Sequence, residues 1–309
     1  MKKRIKFLAS MGLILITAMT QDIMAGDTYF KSMEFIVNNP TTAKGRVYLT
    51  PYEKSDTAFC TISKDPKQAK VSGNFSSSNG KFEVMMYSLP ADGYVLDCLV
   101  PASEYSKGNY RGGNYLGNTE GYPLSSLSLV LDDTTSHSYT TKRPDPSSIR
   151  PEWSAEYYSI FVPAKKGYVS NKTAGNLSSV VKSSKYGEAT NDLVVTGPIN
   201  ANDLKYLNSL SQSKGLIRLD LSKAKFTTVP DSAFYESGLF ELKLPATIEA
   251  VGKRAFANSP GLKPVELPEG IVKGDNMFSG CRLMELMGYI IKPEDSSEFY
   301  DPLWWLWML

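Results

Sequence analysis

A repeat near the C-terminus limits the fold of this chain more than any other feature. Phenylalanine recurs as Ala233-Phe234, Ala255-Phe256 and Met277-Phe278, at an interval of 22 residues. A second pattern keeps step with it: Leu216-x-x-Leu219-x-Leu221, Leu239-x-x-Leu242-x-Leu244 and Leu262-x-x-Val265-x-Leu267. One coil of this length cannot bury its apolar side alone, so successive coils have to stack on a shared core. The three signature positions of each coil are predicted to face inward, where a buried leucine contributes about 1.5–3 kcal/mol. The phenylalanines then fill the far side. Cys281 follows Phe278 at the spacing of Ser237 after Phe234 and Ser259 after Phe256, which marks a small-residue slot.

The remaining strand residues are predicted to face outward, and parallel stacking aligns them in columns. One column reads Asp220, Lys243, Glu266; a second reads Arg218, Glu241, Pro264; a third reads Ile217, Phe240, Lys263. Two readings stay open. Either Arg218, Asp220, Glu241 and Lys243 form a ligand surface, or they neutralise one another and keep the coils in register. Phe240 is the expected exposed anchor, because an isolated aromatic on such a face can be a hot spot. Pro245 and Pro268 remove a ladder donor and end the strand at the same place in consecutive coils.

Upstream, short apolar or alternating runs predict strands at Met33–Val37, Arg46–Thr50, Lys81–Tyr87 and Ser126–Leu131, separated by turns such as Ala91-Asp92-Gly93. An antiparallel sandwich or a related compact β domain follows from this pattern. A Pro-rich joint spans residues 143–151, either a linker or a long crossover loop that returns the strand Tyr157–Val162 to the first domain. The expected division is a β domain over 27–166 and a repeat domain over 167–309. The repeat domain opens with a strand at Leu193–Thr196, a helix capped by Asn200 with Asp203 at its third position, and a strand at Leu216–Leu221. Strand alternation allows either a Cys60–Cys98 disulfide or two buried free thiols.

Residues 1–25 read as a cleaved export signal: Lys2, Lys3, Arg4 and Lys6 precede an apolar run that is too short to span a bilayer. A net charge of +2 without a basic cluster argues against nucleic acid as a partner. The single histidine, His137, has no nucleophile pattern around it, so no catalytic residue, metal set or cofactor is expected. Tyr110 and Tyr115 lie in a Tyr- and Gly-rich stretch that is either a protein- or glycan-binding loop or a non-binding connection. The apolar tail Leu303–Leu309 can cap the last coil, bind a partner, or reflect an irregular gene end.

Several segments carry a family resemblance. Pro230-Asp231-Ser232-Ala233-Phe234, Leu242-Lys243-Leu244-Pro245, Val251-Gly252-Lys253-Arg254-Ala255-Phe256 and Phe278-Ser279-Gly280-Cys281 look like BspA-type leucine-rich repeats of Bacteroidota surface proteins. The stretch Leu193–Leu204 and Leu219-Asp220-Leu221-Ser222 resemble the segment that precedes such repeats. The resemblance covers roughly residues 172–288. The third repeat departs from the pattern, since Val272-Lys273-Gly274-Asp275 replaces the expected apolar-Gly corner. The fold class expected is an all-β, sandwich-like N-terminal domain followed by an α/β leucine-rich-repeat solenoid. The resemblance implies an exported or cell-surface protein that adheres to a host or matrix protein. A glycan-capturing or carbohydrate-active protein with its site in the β domain is the alternative.

Overall fold

The computed structural model describes residues 29–51, 60–62, 65–77, 81–108, 125–132 and 152–287. The signal-like start, Tyr110, Tyr115, His137, the Pro-rich joint and the apolar tail lie outside the described residues.

The first part is built from β1 (Tyr29–Asn38), β2 (Gly45–Pro51), β3 (Cys60–Ile62), β4 (Gln68–Ser77), β5 (Lys81–Pro90), β6 (Tyr94–Pro101), β7 (Ser126–Asp132) and β8 (Glu152–Pro163). A short helix, α1 (Ala102–Tyr105), follows β6. Five strands form one sheet in the order β3-β4-β1-β8-β6, and three form another in the order β2-β5-β7. Both sheets contribute to one core: Phe35, Val37, Ala69, Val71, Leu96, Leu99, Tyr157 and Phe161 meet Val47, Leu49, Val84 and Met86. The alternation that predicted strands therefore places its apolar residues on facing surfaces.

The structure departs from the purely antiparallel expectation at one pair. Strand β8 returns to the first domain and runs parallel to β1, while β6 pairs with its other edge antiparallel. The disulfide left open by the sequence is excluded. Cys60 and Cys98 lie on β3 and β6, the two opposite edges of the larger sheet. Four strand spacings amount to about 19 Å, far beyond the roughly 7 Å between Cα atoms that a disulfide bridges. Cys98 is a buried free thiol, and burial together with Asp97 pushes its pKa up to about 12.

The chain crosses to the second part between Pro163 and β9 (Lys166–Ser170). Then follow α2 (Leu177–Lys182), β10 (Asp192–Pro198), α3 (Ala201–Ser213), β11 (Arg218–Lys225), β12 (Thr228–Val229), β13 (Glu241–Lys243), β14 (Ala250–Val251), β15 (Val272–Lys273) and α4 (Arg282–Leu286). Strands β9, β10, β11 and β13 form one parallel sheet, and β12, β14 and β15 a second. Helix α3 starts where the sequence placed it, with a complete capping box: Asn200 accepts from the Asn202 and Asp203 amides, and Asp203 accepts from the Asn200 amide. The buried Asp203 carboxylate also accepts from the amides of Gly175 (2.6 Å) and Leu177 (3.0 Å), fixing the approach to α2. Leu204, Leu207 and Leu210 of α3 close the first coil.

The repeat core follows the leucine and phenylalanine registers. Leu219 pairs with Leu242 across β11 and β13, and both are buried beside Val265. Phe234, Phe256 and Phe278 stack in a row, with ring centroids 6.1 and 5.1 Å apart. A left-handed residue precedes each ring: Ser232, Arg254 and Asn276 all have φ 54°. A second one follows each ring, at Glu236, Asn258 and Gly280. The backbone thus turns sharply on both sides of the phenylalanine, which points the ring inward.

Cys281 fills the predicted slot, and its Sγ lies 3.1 Å from the Phe256 carbonyl, as Ser259 Oγ lies 3.0 Å from that of Phe234. Burial pushes this thiol up to about 12 as well. The third corner loses less than the sequence suggested. Lys273 pairs with Val251 and Val272 is 70% exposed, but Gly274 is retained as the counterpart of Gly252. A Cβ on Gly274 would come within 2.4 Å of the Gly252 and Lys253 backbone, so only glycine fits that approach.

Candidate binding face and interdomain cleft

The outward columns exist, but half of the face they form is covered. Ile217 and Phe240 pack with Tyr48, Met85, Tyr87 and Val95 of the β domain, joined by Leu283 and Met287 at the end of the repeats. Phe240 is only 4% exposed, so it is not the exposed anchor expected from the sequence. The physical reason is that the outer face of the small sheet is itself apolar and has to be buried. Burial of these large side chains, at about 1.5–3 kcal/mol each, is the main force joining the two domains.

Arg218 and Glu241, also expected on an open ligand surface, are 6% and 8% exposed. Arg218 inserts into the turn between β5 and β6. Its Nη1 donates to the Tyr94 carbonyl (2.7 Å), and its Nη2 to the carbonyls of Pro90 (2.6 Å) and Ala91 (2.9 Å). The Nε atom lies 3.3 Å from Glu241 Oε2, yet the angle is too poor for a hydrogen bond. The guanidinium and the Lys263 ammonium each sit 5.6 Å from the Phe240 ring centroid. The other carboxylate oxygen of Glu241 receives Lys263 at 2.9 Å and Lys243 at 3.5 Å.

Register explains why these charges meet. Residues opposite one another across β9, β10, β11 and β13 read Lys166, Asp192, Arg218, Glu241, alternating in sign over four strands. Lys166 Nζ lies 3.2 Å from Asp192, which raises the pKa of the lysine. Of the two readings left open by the sequence, the self-neutralising ladder describes this column. Burial alone would push the Glu241 carboxyl up. Lys263 first, then Lys243 and Arg218, outweigh that and hold it below the ordinary value of 4.5. A depressed carboxyl contributes stability above 4.5 that is lost as pH falls through its folded value. Wild type and Glu241→Gln are therefore expected to differ in thermal midpoint at neutral pH and to converge in acid below 4.5. A midpoint difference that does not shrink as pH falls below 4.5 would remove this carboxylate from the linkage.

The uncovered strip is the next column outward. It reads Tyr168, Val194, Asp220, Lys243 across the same four strands. Tyr168 is 70% exposed, with the Lys166 ammonium 5.8 Å from its ring centroid. Asp220 and Lys243 thus keep their expected outward position. Tyr168 was not foreseen, because Lys166-Gly167-Tyr168-Val169-Ser170 carries a glycine at an inward strand position. Gly167 stands there because a Cβ would meet the Thr190 side chain at 2.9 Å.

Between the covered face and the β domain lies a cleft of about 560 Å³. Arg46, Asp92, Arg218, Glu241 and Lys263 supply its charge, and Leu89, Phe240, Leu283 and Met287 its apolar wall. Among the described residues, no three His, Cys, Asp or Glu side chains come together as a metal site would require. Among them also, no helix is long and apolar enough to cross a membrane.

The stacked rings and paired strands give the repeat its structural period. Residues 207–289 match the BspA type Leucine rich repeat region, in six copies. These BspA-type repeats occupy less than a third of the chain and support a role in protein interaction. The stretch begins within α3 and ends just past α4, so Tyr168 and the Lys166–Asp192 pair lie upstream of it. No curated protein and no solved structure matches the chain.

Proposed function

We propose that this chain is an exported, surface-displayed and non-enzymatic binding protein that holds a host or matrix protein against the uncovered strip of its strand face. The observation that carries this reading is Tyr168, a large exposed ring on a parallel sheet, beside Val194, Asp220 and Lys243. Strand backbone fixes these side chains in one plane, so a partner meets them without ordering a loop. An aromatic in such a position supplies large contact area at little entropic cost. The BspA-type match supports protein as the ligand class.

Replacing Tyr168 by alanine is expected to weaken the matrix protein bound by the full chain on the order of 30-fold, the loss of an aromatic hot spot. Thermal denaturation should be nearly unchanged, since the ring is mostly in solvent. Surface plasmon resonance against a panel of matrix proteins measures the first, and calorimetry the second. Equal affinity for wild type and variant would discard the strip as the binding surface.

A further inference from the structure

Among the described residues, strand β9 ladders with β10 on one side and with nothing on the other. The Lys165 carbonyl accepts from the Asn191 and Asp192 amides, and the Asn171 amide donates to the Thr196 carbonyl, so both residues face β10. The register between them has no bulge, and backbone polar groups alternate sides along a strand, so Gly167 and Val169 face β10 too. The amides and carbonyls of Lys166, Tyr168 and Ser170 therefore point out of the sheet, and all three residues are exposed. Such a row is a template for a further strand. Charge decides which strand it takes. Lys165 and Lys172 stand at the two ends of β9, both exposed, and neither has an ion-pair partner among the described residues. Residues 164–191 hold five lysines against one carboxylate, Glu188. Two such basic edges repel, so the lysines disfavour pairing between copies and admit an acidic strand.

We infer that the open edge of β9 takes up an extended acidic segment of the protein partner as an added strand. The inference rests on the reading that the adjoining Tyr168 strip binds protein. Main-chain hydrogen bonds to Lys166, Tyr168 and Ser170 supply the affinity, and carboxylates beside Lys165 and Lys172 select the partner. An acidic residue opposite Lys166 also continues the column Lys166, Asp192, Arg218, Glu241, whose sign already alternates from strand to strand. The Tyr168 side chain stands perpendicular to the sheet while its backbone pairs within it, so one partner engages strip and edge together.

Amide hydrogen exchange of the full chain, resolved by residue with NMR, tests this. The probe is a synthetic peptide of alternating valine and threonine flanked by aspartates. At a concentration about ten times its Kd, it is expected to slow the Lys166, Tyr168 and Ser170 amides about tenfold. The Gly167 and Val169 amides, already laddered to β10, should not change. Two control peptides should slow none of them: one with lysine in place of aspartate, the other with alternate backbone amides N-methylated. The double variant Lys165→Glu, Lys172→Glu should bind the acidic peptide roughly fivefold more weakly or worse, with an unchanged thermal midpoint. No slowing with about 1 mM acidic peptide overturns the proposal. Equal slowing by the N-methylated peptide overturns it too, and reduces the contact to charge attraction. So does slow exchange of the three amides in the free chain; if the slowing grows with protein concentration, the edge belongs to a second copy. The strip is judged separately, by Tyr168→Ala against matrix protein, and its failure there leaves the peptide result standing.

Discussion

Arg218→Ala is expected to lower the stability of the chain by about 3–5 kcal/mol, at about 1–3 kcal/mol for each buried acceptor left without its donor. The change leaves the carbonyls of Pro90, Ala91 and Tyr94 without the donors that reach them at 2.6–2.9 Å, while Glu241 keeps Lys263 and Lys243. For a chain of this size the thermal midpoint should drop on the order of 10 °C. Arg218→Lys should rescue little, because a single ammonium cannot serve three carbonyls from two nitrogens as the planar fork does. The net contribution of the intact pair is a different quantity. Desolvation offsets much of its attraction, so the apolar contacts of Phe240, Ile217 and Leu283 bind the domains while Arg218 sets their register. Calorimetry of the three proteins measures this. An Arg218→Ala midpoint within 2 °C of wild type would show that the fork holds nothing.

Phe256→Ala is expected to cost about 3–5 kcal/mol as well, through the cavity it leaves. Phe256 is the middle ring of three, fully buried, in contact with Phe234 on one side and Phe278 on the other. No alternative side chain can close the gap, because the left-handed residues on either side hold each ring's backbone in place. Phe278→Ala should cost less, since this ring is only partly buried and, among the described residues, stacks on one other ring. Urea denaturation of both variants gives the comparison. Equal losses at the two positions would refute the stack as a graded core.

What could be read from the sequence was whatever depends on local period. The leucine and phenylalanine intervals placed Leu219 beside Leu242 and put Cys281 in a slot with Ser259. They also aligned Arg218 with Glu241 and Asp220 with Lys243. They could not say that Phe240, Arg218 and Glu241 point outward into another domain rather than into water. That depends on the outer face of β2 and β5, where Tyr48, Met85 and Tyr87 alternate with core residues. In sequence those strands read as short apolar runs, and nothing local tells a two-sided strand from a one-sided one. Two strands left almost no signal. Strand β4 buries Ala69 and Val71 between Lys70 and Ser72, a weak alternation of small residues. Strand β9 is hidden by Gly167. The third coil shows the opposite case. Its Leu262-x-x-Val265-x-Leu267 signature is complete, yet no strand forms at Val265, because Pro264 stands where Glu241 donates to the preceding coil and has no N–H to give.

The place of β8 in the larger sheet has a consequence for how the chain is made. Among the described residues strand β6 has no ladder partner except β8, and one edge of β1 waits for the same strand. Synthesis must therefore reach Pro163 before that sheet can close, only three residues ahead of the first strand of the repeat domain. Until then two unsatisfied edges remain open to pairing with other chains, the usual hazard of sheets closed by distant segments. A nascent molecule of this kind has to be kept apart from its neighbours through half its length.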